Sequence, residues 1–379
     1  MTFVISGKNN IIKTGIKEKS KKIISLFWKT SDLEIIRDEI RKILVIKFGG
    51  MGDVLLSTPV LPNLRAYFPE AEIDYLTLLK NRDILMDNHY INRVLTYDMR
   101  IDRSYDLLRH IRNKEYNLVI DLFGNPRTAF LTRITGAKYR VGFRFRGRNY
   151  AYNMKEEGRG GEIHNTDFNL DALKIAGIPI TSKKLNLSVN VVHEEFAEKF
   201  IRENNLQNEF LVGIALTGGW ESKKYKLNDY VELIMMLNEK FKVKYVLLWG
   251  NRKELHDAEH IKKLFPYQSF VIPDSPIRYL AAIIKRCSVV IGNDSGPLHI
   301  AGGVGVPVLG IFGPTNPKLQ GPYGEQNITV ENTKLECLHC NLLDCPIGNI
   351  CMTELSKDLI IEKFIELINK NHLKIPFQI

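Results

Sequence analysis

Short β-branched runs recur along this chain, each closing near a glycine and each followed by apolar positions at helical spacing. Residues 43–46 read Ile-Leu-Val-Ile and lead to Gly49-Gly50. Residues 73–76 read Ile-Asp-Tyr-Leu, and 118–122 read Leu-Val-Ile-Asp-Leu before Gly124; a further strand falls over 139–142. Runs this short and continuous fit parallel strands buried on both faces. Between them, 53–68 carries Leu55, Leu56, Leu61 and Leu64 as the apolar side of a helix, with Pro59 and Pro62 making its first turns irregular. A second helix over 167–176 is stopped by Gly177 and Pro179. The alternation predicts a doubly wound parallel sheet.

The same grammar restarts after a segment, 180–209, that holds one strand-like run and one charged helix. Strands are predicted over 211–216, 245–249, 288–291 and 306–312, ending at Gly218-Gly219, Gly250, Gly292 and Gly313-Pro314, with an amphipathic helix over 230–241. The expected organisation is a lead-in over 1–40, an α/β domain over 41–205 and a second over 206–379. Ligands of such sheets bind beyond the carboxyl ends of the strands, so two sets of glycine loops are expected around one interdomain cleft. Residues 143–161, with Arg144, Arg146, Arg148, Lys155 and Arg159 among glycines and aromatics, read as a mobile basic loop expected to meet an anionic acceptor.

A length of 379 residues suits two such domains, and 44% hydrophobic residues can fill two cores. The net charge of +10 changes the picture through its placement. Residues 1–30 hold seven lysines against the single acid Glu18, interleaved with Ile23, Ile24, Leu26, Phe27 and Trp28. This segment reads either as a helix on an anionic membrane face or as a solvated arm packed on its own domain. No stretch reaches the ~18–20 apolar residues of a membrane span. The start lacks the order of a signal peptide, and the cysteines do not resemble a secreted disulfide framework. The expectation is a cytoplasmic protein at the cytoplasmic face of the inner membrane. Nucleic acid is not an expected partner, because the charge is gathered in an arm and no recognition motif appears.

Four constellations carry candidate chemistry. Lys47-Phe48-Gly49-Gly50-Met51-Gly52-Asp53 turns from strand into helix; glycines permit a sharp turn and a close ligand, but no Gly-Lys-Ser/Thr follows for a triphosphate loop. Asp53 is either a helix N-cap or a functional carboxylate. Gly292-Asn293-Asp294-Ser295-Gly296-Pro297-Leu298-His299 opens a second helix, whose N-terminus suits phosphate oxygens. His299 is either packed in the core or turned to that site. Thr217-Gly218-Gly219 followed by Lys223 and Lys224 offers a hydroxyl, mobile backbone and a point charge fit for a diphosphate, and Glu254 is placed to bond ribose hydroxyls. Finally, Cys337, Cys340, Cys345 and Cys351 are spaced to close a structural tetrahedral zinc site, with free thiols and a labile disulfide as the other readings.

These stretches resemble glycosyltransferase family 9, the ADP-heptose:lipopolysaccharide heptosyltransferases. Residues 47–60, 164–177, 223–230 and 292–307 carry the resemblance, in family order. It implies a GT-B fold: two Rossmann-like parallel-sheet domains facing an interdomain cleft. It further implies inverting transfer of a sugar, heptose, from an ADP-activated donor to a lipopolysaccharide-core or related anionic glycolipid, with no cofactor required for catalysis. By this resemblance Asp53 is the catalytic base. Thr217, Lys223, Glu254, Asp294, Ser295, Gly296 and His299 bind donor, while Lys47, Gly49, Gly50, Gly52, Arg144 and Arg146 lie on the acceptor side. Tyr225 and Lys226 stand where the family often has Trp-Pro, and Lys224 leaves the lysine register open. A nucleotide-sugar epimerase on the same plan and a nucleic-acid- and zinc-binding protein are the rival readings.

Overall fold

A computed structural model of the chain describes residues 33–98 and 104–378. The membrane-arm expectation for residues 1–30 lies outside them.

The first six strands are β1 (Lys42–Ile46), β2 (Glu72–Leu78), β3 (Arg93–Tyr97), β4 (Leu118–Asp121), β5 (Tyr139–Phe143) and β6 (Met154–Glu156). They form one parallel sheet in the order β3-β2-β1-β4-β5-β6. Its helices are α1 (Met51–Leu55), α2 (Val60–Tyr67), α3 (Arg82–Leu85), α4 (Ser104–Asn113), α5 (Pro126–Ile134) and α6 (Asn165–Ile175), followed by α7 (Val191–Glu203). The helix expected over 53–68 is two helices, because a run of turns from Leu56 to Pro59 separates α1 from α2. The strand-like run before α7 forms no strand. Part of the segment read as a mobile loop is strand β6, paired with β5.

The second sheet contains β7 (Leu211–Ala215), β8 (Lys244–Leu248), β9 (Ser269–Val271), β10 (Val289–Asn293), β11 (Val308–Ile311) and β12 (Ile328–Val330). It is also parallel, in the order β12-β11-β10-β7-β8-β9. Around it lie α8 (Leu227–Lys240), α9 (Arg252–Leu264), α10 (Ile277–Ile284), α11 (Gly296–Gly303), α12 (Pro317–Gln320), α13 (Ile350–Thr353) and α14 (Lys357–Lys370).

Alternation along each strand sends side chains to opposite faces. Leu44, Ile46 and Val119 pack beneath α4 and α5 with Ile111 and Leu131. Val212, Ile214, Tyr245 and Leu247 pack with Leu233, Leu237, Phe364 and Leu367 of α8 and α14. The two remaining sheet faces share one core. Val45, Ile73, Tyr75 and Ile120 of the first sheet belong to the same buried cluster as Val246, Val290 and Val308 of the second. Helix α7 packs against α10, with Lys285 and Arg286 paired to Glu194 at its first turn. The two sheets are therefore joined by apolar packing, which sets the glycine loops of one against those of the other.

Candidate active site

At the end of β1 the chain turns through Gly49, whose φ of +109° belongs to the region that favours glycine. A Cβ there would lie 2.6 Å from Asp53 Oδ2. Gly50 occupies the N-cap position of α1 and its N–H donates to Asp53 Oδ2 at 2.8 Å. Asp53 is thus the third helical residue and not the cap, while one of its oxygens performs a capping-box role. Among the described residues its other oxygen, Oδ1, has no hydrogen-bond partner. Asn81 Nδ2 donates to the Gly49 carbonyl at 3.1 Å and steadies the turn from the side.

Lys47 does not reach toward the cleft. It is buried, and its Nζ donates to the Leu122 carbonyl at 3.0 Å and to Asn169 Oδ1 at 2.9 Å. Burial lowers its pKa to about 8 against the pull of Asp53 and Asp121, which favour the charged form. Asn169 in turn donates to the Leu56 carbonyl at 3.2 Å, at the end of α1. Asp121 is also buried, and burial raises its pKa. It accepts from the Phe123 and Gly124 N–H groups and from the Tyr152 hydroxyl.

On the donor side, Lys223 Nζ donates to Asp294 Oδ2 at 2.6 Å, and Thr315 Oγ1 donates to the same oxygen at 2.7 Å. Lys224 turns away to Glu221 at 3.2 Å, so the lysine facing the helix-end loop is Lys223. Thr217 Oγ1 donates to Ser295 Oγ at 2.7 Å. Asn293 pins the turn from below: its Nδ2 donates to the Thr217 carbonyl at 3.1 Å, and its Oδ1 accepts from the Tyr225 N–H at 2.9 Å. Ser295 is the N-cap of α11 but makes no side-chain cap bond; the first N–H groups of a helix lack intrahelical acceptors. Glu254 is buried with Oε2 accepting from the Gly250 N–H at 2.9 Å and Oε1 from the Gly218 N–H at 3.4 Å, so it ties two strand-end turns together. A cavity of about 500 Å³ lined by Lys224, Tyr225, Lys253 and Asp257 holds none of Asp53, Asp294 or His299.

The two loops touch. A Cβ on Gly52 would lie 2.7 Å from His299 Cδ2, and one on Gly296 would lie 3.0 Å from Met51 Sδ. His299 is buried between the loops, and among the described residues its Nδ1 has no hydrogen-bond partner. Burial lowers its pKa; Asp294 and Asp53 oppose that shift, and His164 and Lys223 add to it. The structure thus brings Asp53, Lys223, Asp294, Ser295, Gly296 and His299 to one junction.

Arg144 and Arg146 are exposed on the segment after β5. Of the other basic residues there, Arg148 lies over the Phe145 ring, Lys155 donates to the Asn149 and Tyr152 carbonyls, and Arg159 pairs with Asp171. The four late cysteines line one cavity of about 90 Å³. They are free thiols, and burial raises Cys351 to about 11. Among the described residues no group of three or more His, Cys, Asp or Glu is arranged to hold a metal ion, so the zinc reading of the cysteine spacing is not carried by this geometry. Thr315, Asn293, Asn81, Asn169 and His164 were not singled out individually by sequence reasoning. Single polar residues carry no periodicity; the local signals are the strand-end position of Thr315 after Gly313-Pro314, the place of Asn293 within the Gly292–His299 loop and that of His164 at the head of the 164–177 stretch.

The family described as glycosyltransferase family 9 (heptosyltransferase) matches residues 104–350. The chain belongs to glycosyltransferase family 9. It is similar to lipopolysaccharide heptosyltransferase 1 of Campylobacter coli, with 26% identity over 298 residues that cover 72% of this chain and 84% of the relative. In fold this family 9 member is similar to the glycosyltransferase family 9 protein of Veillonella parvula, with TM-score 0.76, 23% identity, and coverage of 87% of this chain and 97% of that one. It is also similar to the Escherichia coli heptosyltransferase WaaC with ADP-2-deoxy-2-fluoro heptose, with TM-score 0.66, 19% identity, and coverage of 86% and 99%. Two parallel six-stranded sheets with facing loops are the GT-B arrangement. Among the described residues no helix is long and apolar enough to cross a membrane.

Proposed function

We propose that this glycosyltransferase moves heptose, with inversion, from an ADP-activated donor to a lipopolysaccharide-core glycolipid. The observation that carries the reading is the junction of Gly52 with His299, which sets Asp53 beside the entrance of α11. The C. coli relative and the donor analogue held by WaaC support the choice of sugar and nucleotide.

In this reading the chain divides into a lead-in over 1–40, an acceptor-side domain over 41–205 and a donor domain over 206–379. Asp53 Oδ1 takes the proton of the acceptor hydroxyl. A carboxylate is a weak base toward a ground-state alcohol, but it serves when the proton leaves late, as attack makes the hydroxyl acidic. As the bond to the anomeric carbon breaks, charge grows on the leaving diphosphate. Lys223, the backbone N–H groups at Ser295 and Gly296, and His299 are the groups aimed at it. Asp294 acts through Lys223, because a carboxylate does not itself draw phosphate. Thr217 orients Ser295, and Glu254 holds the turns that receive the ribose.

Acceptor charge is matched by the first domain. Residues 122–155 contain eight Arg or Lys and no Asp or Glu, and Arg144 and Arg146 are exposed members that follow the end of β5. An anionic core glycolipid at the cytoplasmic membrane face fits that charge. Sedimentation with anionic vesicles should weaken when residues 1–30 are deleted; unchanged sedimentation would remove the arm from this reading.

Donor identity is tested by thermal shift with a panel of nucleotide sugars. ADP-heptose is expected to raise Tm more than UDP- or GDP-sugars do. An equal or larger shift with a UDP- or GDP-sugar would overturn the ADP assignment. Product formed from donor alone, without acceptor, would favour an epimerase.

A further inference from the structure

His164 stands immediately before α6 and serves two masters. Its Nδ1 accepts from the Thr166 N–H at 3.1 Å, capping the helix. Its Nε2 lies 3.0 Å from the Gly321 carbonyl of the other domain. A ring nitrogen that accepts at Nδ1 carries its proton on Nε2, so Nε2–H donates across the cleft. The ring also lies against Tyr323, centroids 4.7 Å apart, and the Tyr323 hydroxyl donates to Asp167 Oδ1 at 3.2 Å in the first turn of α6. The segment from Gly321 to Tyr323 is thus gripped by the N-terminus of α6 at two points.

Each end of this grip leads to a reacting group. Gly321 ends α12, which follows β11 and the Thr315 that holds Asp294. One turn into α6, Asn169 holds both Lys47 and the Leu56 carbonyl at the base of the Asp53 helix. Helix α6 therefore joins the donor-phosphate loop to the Asp53 loop through two cross-domain hydrogen bonds, His164 to Gly321 and Tyr323 to Asp167, and one ring contact.

We propose that His164 is a positioning residue that sets the separation of Asp53 from the donor loop by locking α6 to the Gly321–Tyr323 strap. This rests on Asp53 being the base of the transfer. Every donor-binding group named above sits in the second domain, so the lock governs turnover and not donor affinity.

Two substitutions separate the two bonds. His164→Asn keeps a side-chain acceptor at the Nδ1 position and still caps Thr166, but cannot reach Gly321. His164→Gln keeps a donor at the Nε2 position and weakens the cap. The lock predicts that His164→Asn retains Tm within about 2 °C and ADP affinity within about twofold, while kcat falls about tenfold. His164→Gln should recover kcat to within about threefold of wild type even where its Tm is lower. Small-angle scattering should show a larger radius of gyration for His164→Asn and a wild-type value for His164→Gln. Wild-type kcat and scattering in His164→Asn would overturn the lock, as would equal losses of kcat in both variants that track Tm. Absence of heptosyl transfer by the wild-type chain would instead overturn the proposed function, and the scattering comparison would then decide the lock alone.

Discussion

Lys47 carries its charge where the fold resists it. Its ammonium is enclosed by the Leu122 carbonyl, Asn169 and the neighbouring carboxylates of Asp53 and Asp121, and burial lowers its pKa from 10.5 to about 8. A lowered pKa on a base means that the unfolded chain holds the extra proton between pH 8 and 10.5, so stability rises with pH through that window. Compared with Lys47→Met, the wild-type protein should gain about 2 kcal/mol of relative stability between pH 7 and pH 9.5. Urea denaturation of both proteins at the two pH values measures it, and a flat difference would place Lys47 in a wetter setting. Gly52 is the complementary case, a residue chosen for what it lacks. A Cβ there meets His299 Cδ2 at 2.7 Å, so Gly52→Ala must push the two loops apart. Turnover should fall at least about tenfold, with stability changed by less than about 1 kcal/mol because alanine favours the helix. Full activity in Gly52→Ala would mean that the loops do not work at this separation.

At the scale of elements, the strands legible in the sequence share a position. The runs at 43–46, 73–76, 118–122 and 139–142 are β1, β2, β4 and β5, and those of the second half are β7, β8, β10 and β11. These are the interior strands of the two sheets. The four that reasoning did not name, β3, β6, β9 and β12, are the four edges. An interior parallel strand is covered on both faces and reads as a continuous apolar run, whereas an edge such as Met154-Lys155-Glu156 is short, half-solvated and polar. The glycine loops were legible because they end interior strands. The polar struts beneath them were not, since a single asparagine has no pattern to betray it. Asn169 is the strut that matters most for α6, for it satisfies both Lys47 Nζ and the Leu56 carbonyl. Asn169→Ala should strip a partner from two buried groups and cost about 2–3 kcal/mol in chemical denaturation. A loss below about 0.5 kcal/mol would show that neither bond matters to the fold.

For the whole molecule, the decisive feature is that two sheets built by the same grammar share one of their cores. Because Val45 and Tyr75 belong to the same cluster as Val290 and Val308, the loop that ends β1 and the loop that ends β10 face each other at contact distance. Sequence reasoning predicted the two loops and a cleft between them. It did not foresee that Gly52 and His299 would meet, that Lys223 and Thr315 would both bond Asp294, or that the capping oxygen of Asp53 would leave its other oxygen unpartnered among the described residues. Such contacts depend on side chains far apart in the chain, brought together only by tertiary packing. The central claim is that this unpartnered oxygen accepts the acceptor's proton. Steady-state kinetics of Asp53→Asn with ADP-heptose and a lipopolysaccharide-core acceptor test it most directly, because asparagine keeps an acceptor for the Gly50 N–H and so preserves the turn. The account predicts a kcat lower by about 10³-fold with ADP affinity unchanged within about twofold. Turnover within a few-fold of wild type would contradict it and leave Asp53 as a capping-box residue alone.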